Sequence, residues 1–151
     1  MKEPINWVFK GFKELSPFEL YEILKLRSLV FVVEQQCVFL DMDGIDKDCH
    51  HLAGYVNGRL VASSRIIAAG LAYDVFPSIG RVVTSPETRG RGYGIQLMNE
   101  SIKRLVGLYG ESPIKIGAQL YLKNFYGSFG FVQVGETYLE DGIVHIPMIR
   151  G

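Results

Sequence analysis

Apolar and polar positions alternate along this chain with two different spacings, and the switches between them mark its elements. Ile5 to Phe12 alternates loosely and predicts a first strand. Ser16-Pro17-Phe18-Glu19 is a helix start, with a capping serine, a proline at the first helical position and a glutamate at the third. Leu20, Ile23, Leu24, Arg27 and Val30 follow at helical spacing. Phe31-Val32-Val33-Glu34-Gln35 either continues this helix beyond a kink or, since Leu29 to Val33 also suits a strand, leaves it. His51 to Val56 and Arg59 to Ile67 read as strands around Asn57-Gly58, a strong hairpin signal. Ser78 to Thr84 is the next strand, so three antiparallel strands precede a glycine-rich loop. Ile95, Met98, Ile102 and Leu105 then give a helix from Gly92 to about Tyr109, closed by Gly110. Ile114 to Ala118 is a short apolar strand of the kind buried at a sheet centre. Strand, long helix and strand in succession form a crossover, so Ser78–Thr84 and Ile114–Ala118 should be parallel. A helix from about Leu120 to Phe129 ends at Gly130, and Phe131 to Val134 pairs with His145 to Ile149 after a turn at Glu140-Asp141-Gly142.

These elements predict a mixed α/β domain, a largely antiparallel sheet with helices on both faces. A length of 151 residues fits one domain, residues 1–151, with a sizeable core. Sixteen basic and sixteen acidic side chains cancel, so no global charge directs the chain to nucleic acid, and a basic site must be local. No apolar run reaches the length of a membrane span, and the start lacks the apolar segment of an export signal. A cytoplasmic location with Cys37 and Cys49 as reduced thiols is the resulting expectation. Gln36 to His50 is irregular and acidic, with Asp41, Asp43, Asp46 and Asp48. Its glycine falls in the wrong place for a calcium loop, and Leu52 stands where the bidentate glutamate belongs. The segment reads as a solvated loop or as a rim that attracts a cationic substrate. Cys49-His50-His51 lacks the second ligand cluster of a zinc site, so no metal is expected.

The chemistry concentrates in Arg81-Val82-Val83-Thr84-Ser85-Pro86-Glu87-Thr88-Arg89-Gly90-Arg91-Gly92-Tyr93-Gly94. A β-branched strand runs into glycines and arginines that open a helix. Free amides at a helix N-terminus favour an anion, so the stretch predicts a phosphate-bearing ligand. A Walker loop is excluded because Ile95-Gln96 replaces the lysine and hydroxyl residue. A dinucleotide fingerprint is excluded because its sixth position is Ile95 or Leu97, and because antiparallel strands come first.

Arg89-x-x-Gly92-x-Gly94, in this context, resembles the pyrophosphate loop of the GNAT superfamily of N-acetyltransferases. Asn124-Phe125-Tyr126-Gly127-Ser128-Phe129-Gly130-Phe131 resembles that superfamily's later signature. Arg27, Phe31-Val32-Val33-Glu34-Gln35, Asp41-x-Asp43, Arg65-Ile66 and Glu140-Asp141-Gly142-Ile143-x-His145-Ile146 resemble the ElaA family of small bacterial acetyltransferases, over about Trp7 to Met148.

The resemblance implies the GNAT fold, in which the central parallel pair splays and acetyl-CoA, the co-substrate, lies in the gap. Backbone groups of Val82, Val83 and Thr84 would pair with the pantetheine arm, and one N–H would face the acetyl carbonyl. Amides from Arg89 through Gly90, Arg91, Gly92, Tyr93 and Gly94 would hold the pyrophosphate, assisted by the Arg89 and Arg91 side chains. Tyr126 stands where the family places the acid that protonates the leaving thiolate. Asn124 would contact the arm, and Gln119 would do so from a position that is often asparagine. The attacking amine needs a base. Glu34 is the first candidate, as an acid among apolar neighbours, with His51, Glu136 and His145 behind it and Asp141 in support. A salt bridge from Glu34 to Arg27 or Arg65 is the competing assignment. The implied activity is acetylation of a primary amine on a small molecule or peptide, the acidic loop suggesting a cationic one. An acyl-homoserine lactone synthase, which shares the fold, and a CoA-binding sensor without turnover are the alternatives. Exposed aromatic residues leave a homodimer open.

Overall fold

The computed structural model describes residues 4–151. Met1, Lys2 and Glu3, which open the stretch used for the export-signal expectation, lie outside the described residues. The chain begins with β1 (Asn6–Gly11) and helix α1 (Pro17–Arg27). The helix start is the one the sequence announces: Ser16 Oγ accepts from the Glu19 amide at 3.0 Å, and Glu19 Oε1 accepts from the Ser16 amide at 2.8 Å. Beyond Arg27 the helix neither kinks away nor becomes a strand. It widens into a π-helical segment, Ser28–Glu34.

Strands β2 (His50–Val56), β3 (Arg59–Ile67) and β4 (Ser78–Thr84) follow. They extend β1 into an antiparallel sheet of order β1-β2-β3-β4, so the predicted first strand joins the three expected antiparallel strands ahead of the glycine loop. Helix α2 (Tyr93–Tyr109) ends at Gly110, whose φ of 83° is a left-handed value that glycine accepts without strain. Strand β5 (Ile114–Gln119) starts a second sheet, of order β5-β8-β6, with β7 also paired to β8. Its other strands are β6 (Phe131–Gln133), β7 (Tyr138–Glu140) and β8 (Ile143–Arg150). The helix expected from Leu120 is shorter: a 3₁₀ turn, Leu120–Leu122, leads into α3 (Lys123–Gly127). β7 is an additional strand, and the predicted turn at Asp141-Gly142 joins it to β8.

The two helices adjoining β4 take opposite faces, because successive strand residues point opposite ways. Val83 packs with Leu26 and Val30 on the α1 side. Its neighbour Val82 packs toward Tyr93 and Leu97 of α2. A larger core beside β5 and β8 holds Met98, Leu105, Ile114, Ile116, Tyr126, Phe131, Ile146 and Met148.

The acidic segment is only partly solvated: Asp48 is exposed and Asp43 borders the cleft, but Asp41 and Asp46 are buried. Arg27, 1% exposed, bonds Asp41 at 2.8 Å and Asp46 at 2.9 Å. Arg65 bonds Asp43 at 2.6 Å and Asp46 at 2.9 Å. Arg81 lies 2.8 Å from Asp41 and donates to its backbone carbonyl. Asp41, Asp43 and Asp46 thus neutralise arginines from α1, β3 and β4, and fix the long connection to the sheet edge. Burial disfavours ionised Asp46, but its bonds and charges from Arg27 and Arg65 outweigh this and hold its carboxyl below the usual range.

Candidate functional site

β4 and β5 begin together and separate. One backbone bond, from the Lys115 N–H to the Pro77 carbonyl (3.1 Å), ties the sheets where these strands start. Beyond it no ladder joins them, and a cleft of about 1040 Å³ opens between them. It is lined by Val82, Val83 and Thr84 on one wall and by Ile116, Gly117 and Gln119 on the other.

A bulge prepares the β4 wall. Ser63 pairs with Val83 but Arg65 pairs with Gly80, so Arg81 and Val82 together face Ser64. Arg81 takes the extra turn with φ of 49°. The extra residue breaks the ladder and leaves backbone groups unpaired where the strand borders the cleft.

At one end of the cleft lies the glycine loop. Gly90 and Gly92 have φ of 83° and 79°, left-handed values that a side chain would strain. No N–H from Gly90 to Ile95 makes a hydrogen bond among the described residues; the first α2 bond runs from Gln96 to Gly92. Free amides clustered at a helix N-terminus have the geometry that favours an anion. The assigned side chains divide. Tyr93 turns inward, 3% exposed against Leu52, Val61, Ala62 and Leu97, so only its amide serves the loop. Arg91 is exposed and does not line the cleft. Arg89 lines it and is held by Glu34, with bidentate distances of 2.6 and 2.8 Å.

Glu34 is therefore not the buried acid expected. It is exposed, and its partner is Arg89 rather than Arg27 or Arg65, which the aspartates occupy. Gln119 lines the cleft and exchanges amide bonds with Gln35 at 3.4 and 3.5 Å. Asn124 departs from expectation: it lies on the opposite side of α3, in a separate groove with Lys123, Phe131 and Gln133.

Tyr126 faces the middle of the cleft, packed edge-on against Phe125 and Phe131 at 5.2 and 6.2 Å between ring centres. Its hydroxyl has no hydrogen bond among the described residues. Burial pushes its pKa up to about 12, so the phenol keeps its proton at neutral pH. The ring belongs to the core, and the residue also lines the cleft.

His145, Glu140 and Tyr138 border the far end. His145 Nδ1 lies 2.8 Å from the Ile143 carbonyl, Nε2 lies 3.4 Å from Glu140, and the ring stacks on Tyr138. An N–H at Nδ1 donates to that carbonyl and leaves the Nε2 lone pair free. Gly117 makes this end compact: a Cβ there would strike the Tyr138 hydroxyl and come within 3.3 Å of the Tyr73 hydroxyl. His51 leaves the candidate set, because it is buried with Nε2 bound to the Asp46 carbonyl at 2.8 Å, and burial lowers its pKa. Glu136 is exposed away from the cleft, whereas Asp141 lines it at the β7–β8 turn. His50 stacks on Phe9 and the Cys49 thiol donates to the Ile45 carbonyl, so Cys49, His50 and His51 turn to different neighbours.

Sequence reasoning missed Tyr73, Tyr138 and Phe39 as cleft residues, and it gave the Arg81 side chain no role although Arg81 opens the stretch it singled out. Tyr73, Tyr138 and Phe39 lie in no periodic pattern or motif that would single them out; the fold alone collects them.

Residues 28–150 match the acetyltransferase (GNAT) domain family. Protein ElaA of Escherichia coli is 44% identical over 149 residues, covering 97% of this chain and 96% of that protein. A crystal structure of an acyl-CoA N-acyltransferase from Pseudomonas aeruginosa superposes with a TM-score of 0.92 at 41% identity, over 98% of this chain and all of the other. The AHL synthase LasI superposes with a TM-score of 0.78 over 98% of this chain and 90% of its own, at 12% identity, a likeness of fold alone.

Proposed function

The chain belongs to the GNAT acetyltransferase family and groups with ElaA, and from that membership we propose that it transfers an acetyl group from acetyl-CoA to a primary amine. The observation that carries this reading is the continuity of one cleft, from the unpaired amides of the glycine loop past Tyr126 to His145. The diphosphate takes the loop amides, and the pantetheine arm lies along the bulged β4 as an added strand. The thioester carbon then sits near Tyr126.

The amine attacks this carbon directly. Charge on the acetyl oxygen is met by a backbone N–H of Val82, Val83 or Thr84. As the tetrahedral centre collapses the C–S bond breaks, and the thiolate takes the Tyr126 proton. His145 serves as the base: Nε2 accepts the amine proton, and Glu140 faces the imidazolium that results. The loop's cleft-side charge is already spent, since Asp43, which lines the cleft, and the buried Asp41 and Asp46 are matched by arginines, while the exposed Asp48 lies outside the cleft lining. Amine selection rests instead on the end of the cleft formed by Tyr73, Tyr138, Glu140 and His145.

Acetyl-CoA consumption over a panel of amines, with thermal shift in CoA, tests the reading. Stabilisation by CoA and thiol release with at least one amine are the expected results. Absence of CoA stabilisation at saturating concentration overturns the assignment of the cleft.

A further inference from the structure

We propose that Glu34, Gln35 and Cys37 form a strap that holds the donor's place in the free protein and is displaced when the donor binds. The proposal rests on the acetyl-CoA reading above. Three bonds from this short segment reach three separate elements around the cleft. Glu34 clamps Arg89 in the loop before α2 at 2.6 and 2.8 Å. Gln35 exchanges amide bonds with Gln119 at the end of β5, at 3.4 and 3.5 Å. The Cys37 thiol donates to the Asp141 carbonyl at the β7–β8 turn, at 3.1 Å. All six residues line the same cleft.

Arg89 and Gln119 are the two side chains assigned to the donor that line this cleft, and each is already engaged by the strap. A guanidinium fork takes a carboxylate or a phosphate in the same bidentate manner, so Glu34 and the diphosphate compete for it. The amide bonds at 3.4 and 3.5 Å are long and readily exchanged for an amide of the pantetheine arm. Donor binding therefore frees the Glu34 carboxylate and the Gln35 amide together. Because Cys37 ties the same segment to the turn beside Glu140, the change reaches the amine end of the cleft.

Calorimetric titration of the full chain with CoA, and with pantetheine, which lacks the diphosphate, tests the strap. Glu34 is exposed, so Glu34→Gln leaves the core intact. An exposed ion pair contributes modestly, and its removal as a competitor should tighten CoA binding about two- to fivefold. Pantetheine affinity should not change. Unchanged or weaker CoA binding by Glu34→Gln, with wild-type binding intact, overturns the strap while sparing the donor reading. An equal gain for pantetheine also overturns it, since the gain would then be general loosening. No CoA binding by either protein overturns the donor reading and the strap together.

Discussion

Arg27 is the side chain whose loss should do most damage for its size. Arg27→Met keeps the stem and removes the guanidinium. Its hydrogen bonds to Asp41 and Asp46 then vanish at a site where Arg27 is 1% exposed and the two aspartates 6% and 7%. Asp46 retains Arg65 and Asp41 retains Arg81, but each buried carboxylate loses its best-buried counter-charge. Breaking a buried ionic network by removing one member costs about 3–5 kcal/mol. Against a typical total of about 5–15 kcal/mol, that is a large share of the stability. Urea unfolding at pH 7 should show a lower midpoint with an unchanged slope. The pH dependence carries a second signature. Asp43, through its bonds to Arg65, and Asp46 titrate below their ordinary range in the folded chain. Their contribution is complete above the ordinary carboxylate pKa of about 4 and is lost as pH falls through the depressed values. In Arg27→Met, Asp46 is less depressed, so the acid loss below about pH 4 should be shallower than in the wild type. A cost under about 1 kcal/mol, or an unaltered acid profile, would refute the reasoning.

Tyr126→Phe should lower kcat about 10²-fold or more while leaving CoA affinity unchanged, measured by steady-state kinetics and calorimetry. An unaltered kcat would remove the phenol from proton transfer. Burial holds His51 neutral, so wild-type stability should begin to fall as pH drops below about 6.5, where an unfolded histidine gains its proton. In His51→Gln this part of the slope between pH 7 and 5 should disappear from urea midpoints measured across that range. Gly92→Ala forces a side chain into the left-handed region at φ of 79° and should cost about 1–2 kcal/mol. Its thermal shift in CoA should shrink as well, because the strain falls on the cradle itself.

Features whose causes are local were legible from the sequence. Ser16 with Glu19, Asn57-Gly58 and Gly110 each fix a helix end or turn within a few residues, and each stands where expected. β3 and β4 match the strands read from the sequence, and the crossover logic places the open pair correctly. Features that depend on distant partners were not legible. The aspartate segment presents four acids, but nothing local says that Arg27, Arg65 and Arg81 will meet three of them, since Arg81 and Asp41 stand forty positions apart. Glu34 was misjudged for the same reason. Its apolar neighbours in sequence suggested burial, while its fold partner Arg89 lies across the cleft. Tyr93 sits within the glycine motif, yet its place in the first turn of α2 points the ring into the core. The widened turn at Ser28–Glu34 has no composition signal of its own and arises where α1 meets the segment that carries Glu34 and Gln35.

The interruption between β4 and β5 has a consequence for solubility. A strand with unpaired backbone groups at an outer edge is a template on which another chain can assemble, and proteins usually blunt such edges with charge or proline. Here the unpaired groups of β4 face β5 across an internal gap. Those groups border a cleft within one chain, walled on the other side by Ile116, Gly117 and Gln119. The open edge of β4 thus faces the molecule's own second sheet rather than an outer rim, which is the placement that limits its use as a template by another chain.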